Sequence, residues 1–152
     1  RQVLDMDPAY VAAYETLSRA LCFLGRHDEA EAAAIEGVTR SGRWSLLLGA
    51  LGFVYGHAGK RAEAMGIVAE LEEQVRLRYV PRYHFALVYY GLHDEDRAMA
   101  ELERCLEERS GVIALLGVDP QCAWLTPNPR FQQIIRDLGV YRTPVVAATE
   151  AQ

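Results

Sequence analysis

The stretch Tyr14–Ala34, YETLSRALCFLGRHDEAEAAA, decides the fold, because it carries two helical stripes with a glycine between them. Tyr14, Leu17, Ser18 and Leu21 lie at i, i+3, i+4 and i+7, one face of an α-helix. After Gly25 a second stripe, Ala30 and Ala34 followed by Gly37, is made of small residues that let two helices cross closely. The pattern predicts a helix-turn-helix hairpin.

Working outward, the pattern recurs every 34 residues. Leu17, Leu51 and Phe85 are successive steps, as are Leu21, Tyr55 and Tyr89, and Ser18, Gly52 and Ala86. In the second half of each unit Ala30, Ala64 and Ala98 recur, then Ala34, Val68 and Leu102, then Gly37, Leu71 and Cys105. Gly25 and Gly59 mark the turn between halves. A hairpin of this length cannot bury both of its stripes alone, so consecutive hairpins must stack.

These residues resemble the tetratricopeptide repeat family, with its Leu-small, Tyr, Gly, Ala and closing Pro positions. Asp7-Pro8 matches the Pro that ends a preceding repeat, while Gly42, Arg76 and Ser110 stand where later repeats would close, Arg82 takes the first aromatic position and His93 replaces the third turn glycine. The resemblance implies an all-α, right-handed superhelix of about three helix-turn-helix repeats with a C-terminal capping helix. Its units are 11–44, 45–78 and 79–112, preceded by the end of a truncated repeat at 1–8 and followed by a cap at 113–140 and a flexible tail at 141–152. Within the cap, short helices are expected at about 111–117 and 129–138; Asn128 caps the second, Pro129 starts it, and Phe131, Ile134, Ile135 and Leu138 point inward. The segments Glu107–Gly111, Val118–Pro120 and Asn128–Phe131 are similar to the ending of such arrays in bacterial multidomain regulators. That likeness implies a scaffold or sensory arm of a larger regulatory protein.

Composition narrows the function. With 21 acidic against 16 basic residues and a net charge of -5, the chain lacks the cationic excess of nucleic-acid binders. No apolar run reaches the ~18 residues of a spanning helix, so no membrane anchor is expected. Cys22, Cys105 and Cys122 show no CxxC spacing and read as reduced, buried small hydrophobes, which points to the cytoplasm.

Several groups resemble chemistry without its full constellation. His27-Asp28-Glu29 and His93-Asp94-Glu95 contain metal-ligand types, yet each opens a second helix, where acidic residues compensate the helix end. Gly56-His57-Ala58-Gly59-Lys60 has neither the spacing nor the Ser/Thr of a phosphate loop. Cys22 with His57 or His84 lacks a third group and an oxyanion motif. No enzyme activity, metal or cofactor is expected.

What remains is a binding surface. The stripe beside the hairpin face holds Ala12, Glu15, Arg19 and Cys22 in the first unit, Leu46, Gly49, Phe53 and Gly56 in the second, and Val80, Tyr83, Leu87 and Tyr90 in the third. The expected groove residues are Arg19, Leu46, Phe53, His57, Tyr83, His84, Leu87 and Tyr90, an apolar to aromatic trough for a protein or peptide. Chaperone-binding members of the family use a Lys, Asn and Arg clamp; Glu15, Arg19, Ala50 and His84 occupy those places here, so the clamp is absent. A competing reading buries the stretch 43–58, apolar on nearly every side, between its neighbours. Two further alternatives are a small-molecule or peptide-ligand sensing pocket among Phe53, Tyr83 and Tyr90, and self-association as a homodimer through the N-terminal end.

Overall fold

The computed structural model describes residues 10–111, 125 and 127–138. Among them the chain is all-α: α1 (Ala12–Phe23), α2 (His27–Arg40), α3 (Ser45–His57), α4 (Arg61–Val75), α5 (Arg82–Gly91), α6 (Glu95–Glu107) and α7 (Pro129–Asp137). None of these helices is long and apolar enough to cross a membrane. The expected pieces at 1–8, 112–117 and 141–152, and Cys122, lie outside the described residues.

Each glycine turn ends a helix in the same way. Gly25 and Gly59 adopt φ of 71° and 77°, and His93 does the same at 56°. The N–H of the next residue then reaches back to a helix carbonyl, Arg26 to Leu21, Lys60 to Tyr55 and Asp94 to Tyr89, at 2.8–2.9 Å. This is the left-handed helix terminus that glycine makes without strain. The reversal folds α1 on α2, α3 on α4 and α5 on α6, and these three hairpins pack in chain order.

The second helices α2, α4, α6 and α7 begin at His27, Arg61, Glu95 and Pro129, successive steps of 34 residues. The last of them is turned about its axis relative to the others. Phe131 and Ile134 are its buried residues, whereas Gln132, the 34-residue successor of Ala98, is exposed. α7 is held to α6 by Arg130, whose Nε and Nη2 donate to the two Glu103 carboxylate oxygens at 2.8 Å. Its N-terminus is capped by Asn128 Oδ1, which accepts from the N–H groups of Arg130 and Phe131.

Ala30, Ala64 and Ala98 are at most 1 % exposed, as a close crossing inside each hairpin requires. The first helices also lie side by side, α1 on α3 and α3 on α5. At the second seam the backbones nearly touch. A Cβ on Gly91 would stand 2.2 Å from the Phe53 carbonyl oxygen, one on Gly56 would stand 2.5 Å from the Gly91 carbonyl carbon, and one on Gly49 would meet the His84 carbonyl oxygen at 2.8 Å. Those glycines therefore set the depth at which α5 sinks onto α3.

Candidate functional site

The three first helices bring one band of side chains together. Phe53, in the middle, is fully buried, and its ring centroid lies 5.8 Å from Phe23, 5.3 Å from Tyr90 and 5.6 Å from His57. Each separation falls in the range where aromatic pairs attract. Phe23 is 50 % exposed, and Tyr90 and His57 are half-buried, so these three are the wet rim over a Phe53 floor.

Arg19 closes the floor on the α1 side. It is 1 % exposed, its Nη1 donates to Glu15 Oε1 at 2.6 Å and to the Tyr83 hydroxyl at 3.3 Å, and its guanidinium carbon sits 5.6 Å from the Phe53 ring centre. Burial works against its charge, but the Tyr83 hydroxyl and the Glu15 carboxylate outweigh burial and hold its pKa above the ordinary arginine range. Its Nε has no hydrogen-bond partner. Beside it lies a cavity of about 20 Å³, lined by Tyr83, Leu87, Tyr90, Leu102 and Leu125 among others, which has room for a single water.

The remaining expected groove residues divide. Tyr83 and Leu87 are buried under the band rather than exposed along it. His84 is 5 % exposed, with its Cα in the contact zone of Gly49 and its ring centroid 6.2 Å from that of Tyr83. Burial pushes its pKa down to about 4, so it is a neutral core side chain at pH 7. Leu46 lies on the same face of α3 as Phe53 but about two turns earlier, where it lines an apolar trough of about 520 Å³ with Tyr10, Ala13, Leu17 and Ala20. Arg19, Phe53, Tyr83, Leu87 and Tyr90 thus come together, His57 borders them, His84 touches the group only at the Tyr83 ring, and Leu46 lies about two turns from Phe53 along α3. Gly49 and Gly56, read on the same stripe, are spent on the helix crossing, and the buried reading of 43–58 describes most of α3: ten of its residues are buried.

Three residues beside this band, Phe23, His27 and His93, are absent from the expected groove. Phe23 had a signal, since it precedes His57 by 34 residues and so shares its repeat position. His27 and His93 had none, because they occupy different repeat positions and meet only through His57: the His27–His57 and His57–His93 ring centroids are 5.4 and 5.7 Å apart. Burial chiefly, with the two neighbouring imidazoles, lowers the His57 pKa, partly offset by a backbone hydrogen bond.

The buried thiols are unsuited to nucleophilic work. Burial raises Cys22 to about 11, and burial with the Glu108 charge raises Cys105 to about 12, so both stay protonated at neutral pH. Among the described residues no group of three or more His, Cys, Asp or Glu side chains is placed to hold a metal ion. No family model matches the chain, and neither the search of curated proteins nor that of solved structures finds a match.

Proposed function

We propose that the chain is a non-catalytic protein-interaction module of the tetratricopeptide type, a superhelical scaffold or sensory arm of a larger bacterial regulatory protein. It binds a peptide or helix along the rim of Phe23, His57 and Tyr90, over the Phe53 floor. The observation that carries this is the ring row Phe23–Phe53–Tyr90, which crosses all three hairpins at spacings of 5.8 and 5.3 Å. Rigid aromatic side chains supply contact area at little entropic cost, which is why such rows anchor partners. The thiols of Cys22 and Cys105, kept protonated by burial, favour binding over cysteine-based catalysis. Free, buried Cys22 and Cys105 suit a reducing cytoplasm.

A small-molecule sensor needs a pocket of a few hundred Å³ among these rings. The cavity of about 20 Å³ beside Arg19 is far smaller, so the sensing alternative ranks below peptide binding. Self-association has its own support in the apolar trough on α1, bordered by Tyr10 at 53 % exposure.

The test is capture from the source cell's lysate by wild-type chain and by Phe23→Ala/Tyr90→Ala, followed by titration of the purified partner and light scattering on both chains. Tyr83 is left intact because it hydrogen-bonds the buried Arg19. The partner's affinity should drop at least tenfold in the folded double variant. Undiminished binding overturns the proposed surface, and a dimer mass without a partner selects self-association.

A further inference from the structure

Along α1 an apolar stripe is open to solvent. Tyr10, Ala13, Leu17, Ala20 and Leu24 recur at alternating steps of three and four, which keeps them on one side of the helix and its two ends. Tyr10 is 53 % and Leu24 69 % exposed, Ala20 is exposed, and Ala13 and Leu17 are half-buried. The trough of about 520 Å³ runs along this side, past Tyr10, Ala13, Leu17 and Ala20.

The repeat shows what this stripe does elsewhere in the chain. One step of 34 leads from Ala13 to Leu47 and from Ala20 to Val54, and a second step leads from Val54 to Val88. Leu47 is 1 % exposed and both valines are fully buried. Their cover comes from the hairpin before: a Cβ on Gly37 of α2 would stand 3.0 Å from Leu47 Cδ1, and one on Gly52 of α3 would stand 2.5 Å from Val88 Cγ2. Among the described residues α1 is the first helix, so a stripe that is core in the second and third hairpins is surface in the first.

Two features point to a second copy as the cover. The stripe is self-complementary. Turned end for end about Leu17, it sets Tyr10 opposite Leu24 of the other copy and brings the two Leu17 side chains together, flanked by the small residues Ala13 and Ala20. A two-fold contact joins one patch to the same patch, so a sequence that reads alike from both ends meets its demand. The helix also brings no net charge to the contact. Its ionic groups, Glu15 and Arg19, pair with each other at 2.6 Å, so two copies of an acidic chain meet along α1 without unpaired like charges. A face made for an unlike helix needs neither property.

We propose that α1 docks antiparallel against α1 of a second copy of this chain, with the two-fold axis at Leu17, in a reversible homodimer. The contact gives self-association a defined surface, and it uses neither Phe53 nor Tyr90, so it does not rest on peptide binding at the rim. The stretch 10–24 is about 20 Å long at the helical rise of 1.5 Å per residue. One pair of helices of that length lies at the small end of the range of specific interfaces, so the dimer is weak and depends on concentration.

The experiment is sedimentation velocity of the whole chain from about 10 µM to about 1 mM, the range in which so small an interface associates. Wild type should pass from monomer to dimer across it. Ala20→Glu and Leu24→Glu, both at exposed positions, should each raise the dissociation constant at least tenfold with helicity unchanged. Tyr90→Ala, which weakens the rim, should dimerise like wild type and so separates this contact from the peptide surface. In a mixture of ¹³C-labelled and unlabelled chains, the Leu17 methyl groups should show intermolecular contacts to Leu17 of the other copy. A wild-type chain that stays monomeric overturns the proposal and leaves the stripe to a helix of another protein. So does a dimer that both glutamate variants retain at wild-type strength.

Discussion

Two seams join the first helices of neighbouring hairpins, and they are built on opposite plans. The α3–α5 seam is dry and backbone-close, with Gly49, Gly56 and Gly91 lying where any side chain would collide. The α1–α3 seam instead places Arg19, ion-paired with Glu15, against the Phe53 ring, and leaves an apolar trough open beside Leu46. Both use equivalent stripes of a repeated sequence. The difference shows that the repeat specifies which helices meet, while the residues on the stripe specify how deeply. Glycine admits a neighbouring backbone; a long cation holds it away and needs a counter-charge.

The sharpest way to break this comparison is to spoil the close seam. Gly91→Val puts two methyl groups where the Phe53 carbonyl already lies 2.2 Å from a Cβ, with backbone rather than a flexible side chain as the obstacle. The expected cost is about 3 kcal/mol or more, read by urea denaturation, and a loss under about 1 kcal/mol would mean the helices stand further apart than described.

The next effect comes from His84, which the same seam buries. Its folded pKa of about 4 lies below the ordinary 6.5, so the unfolded chain binds the proton more readily. Its contribution to stability is therefore complete above pH 6.5 and is lost as pH falls from there towards 4, by about 3 kcal/mol. The difference between wild type and His84→Gln across that window isolates the effect from the carboxylates. Parallel stability curves for the two chains would place His84 in water.

A smaller loss is expected at the polar seam. Glu15→Ala strands the guanidinium of Arg19, whose side chain is 2 % exposed, while the Glu15 side chain is itself 13 % exposed. Partial access to water limits the cost to about 2 kcal/mol, below that of removing one member of a fully buried pair. Arg19→Met/Glu15→Ala should recover part of it, since an apolar chain of similar length fills the site without a charge to satisfy. A double variant no better than the single would show that the Tyr83 hydrogen bond, not the ion pair, anchors Arg19.

The helical pattern was the more legible part. Ala30, Ala64 and Ala98 mark the hairpin crossings at 34-residue intervals, and the turns fall at Gly25, Gly59 and His93. Such features depend on residues a few positions apart, so local periodicity carries them. The site was only partly legible. Arg19, Phe53 and Tyr90 were named and do assemble, but α3 is apolar around its whole circumference, and a helix with no polar face does not declare which side meets a neighbour. Leu46 and Phe53 lie about two turns apart on one face of α3, and the stripe does not declare that the aromatic band forms only at the Phe53 level.

By itself the sequence determined an all-helical chain of paired helices, the places where those helices turn, and the small residues at which each pair crosses. Only the tertiary structure decided that Phe53, Tyr83, Leu87 and His84 are covered, that Phe23 joins Tyr90 at the rim, and that His27, His57 and His93 stand in a row. The physical reason is range. Helices and turns follow from interactions within a few residues, whereas the exposure of a side chain depends on how closely a helix some 30 residues away can approach. That distance is set at Gly49, Gly56 and Gly91, where the absence of a side chain brings two backbones together.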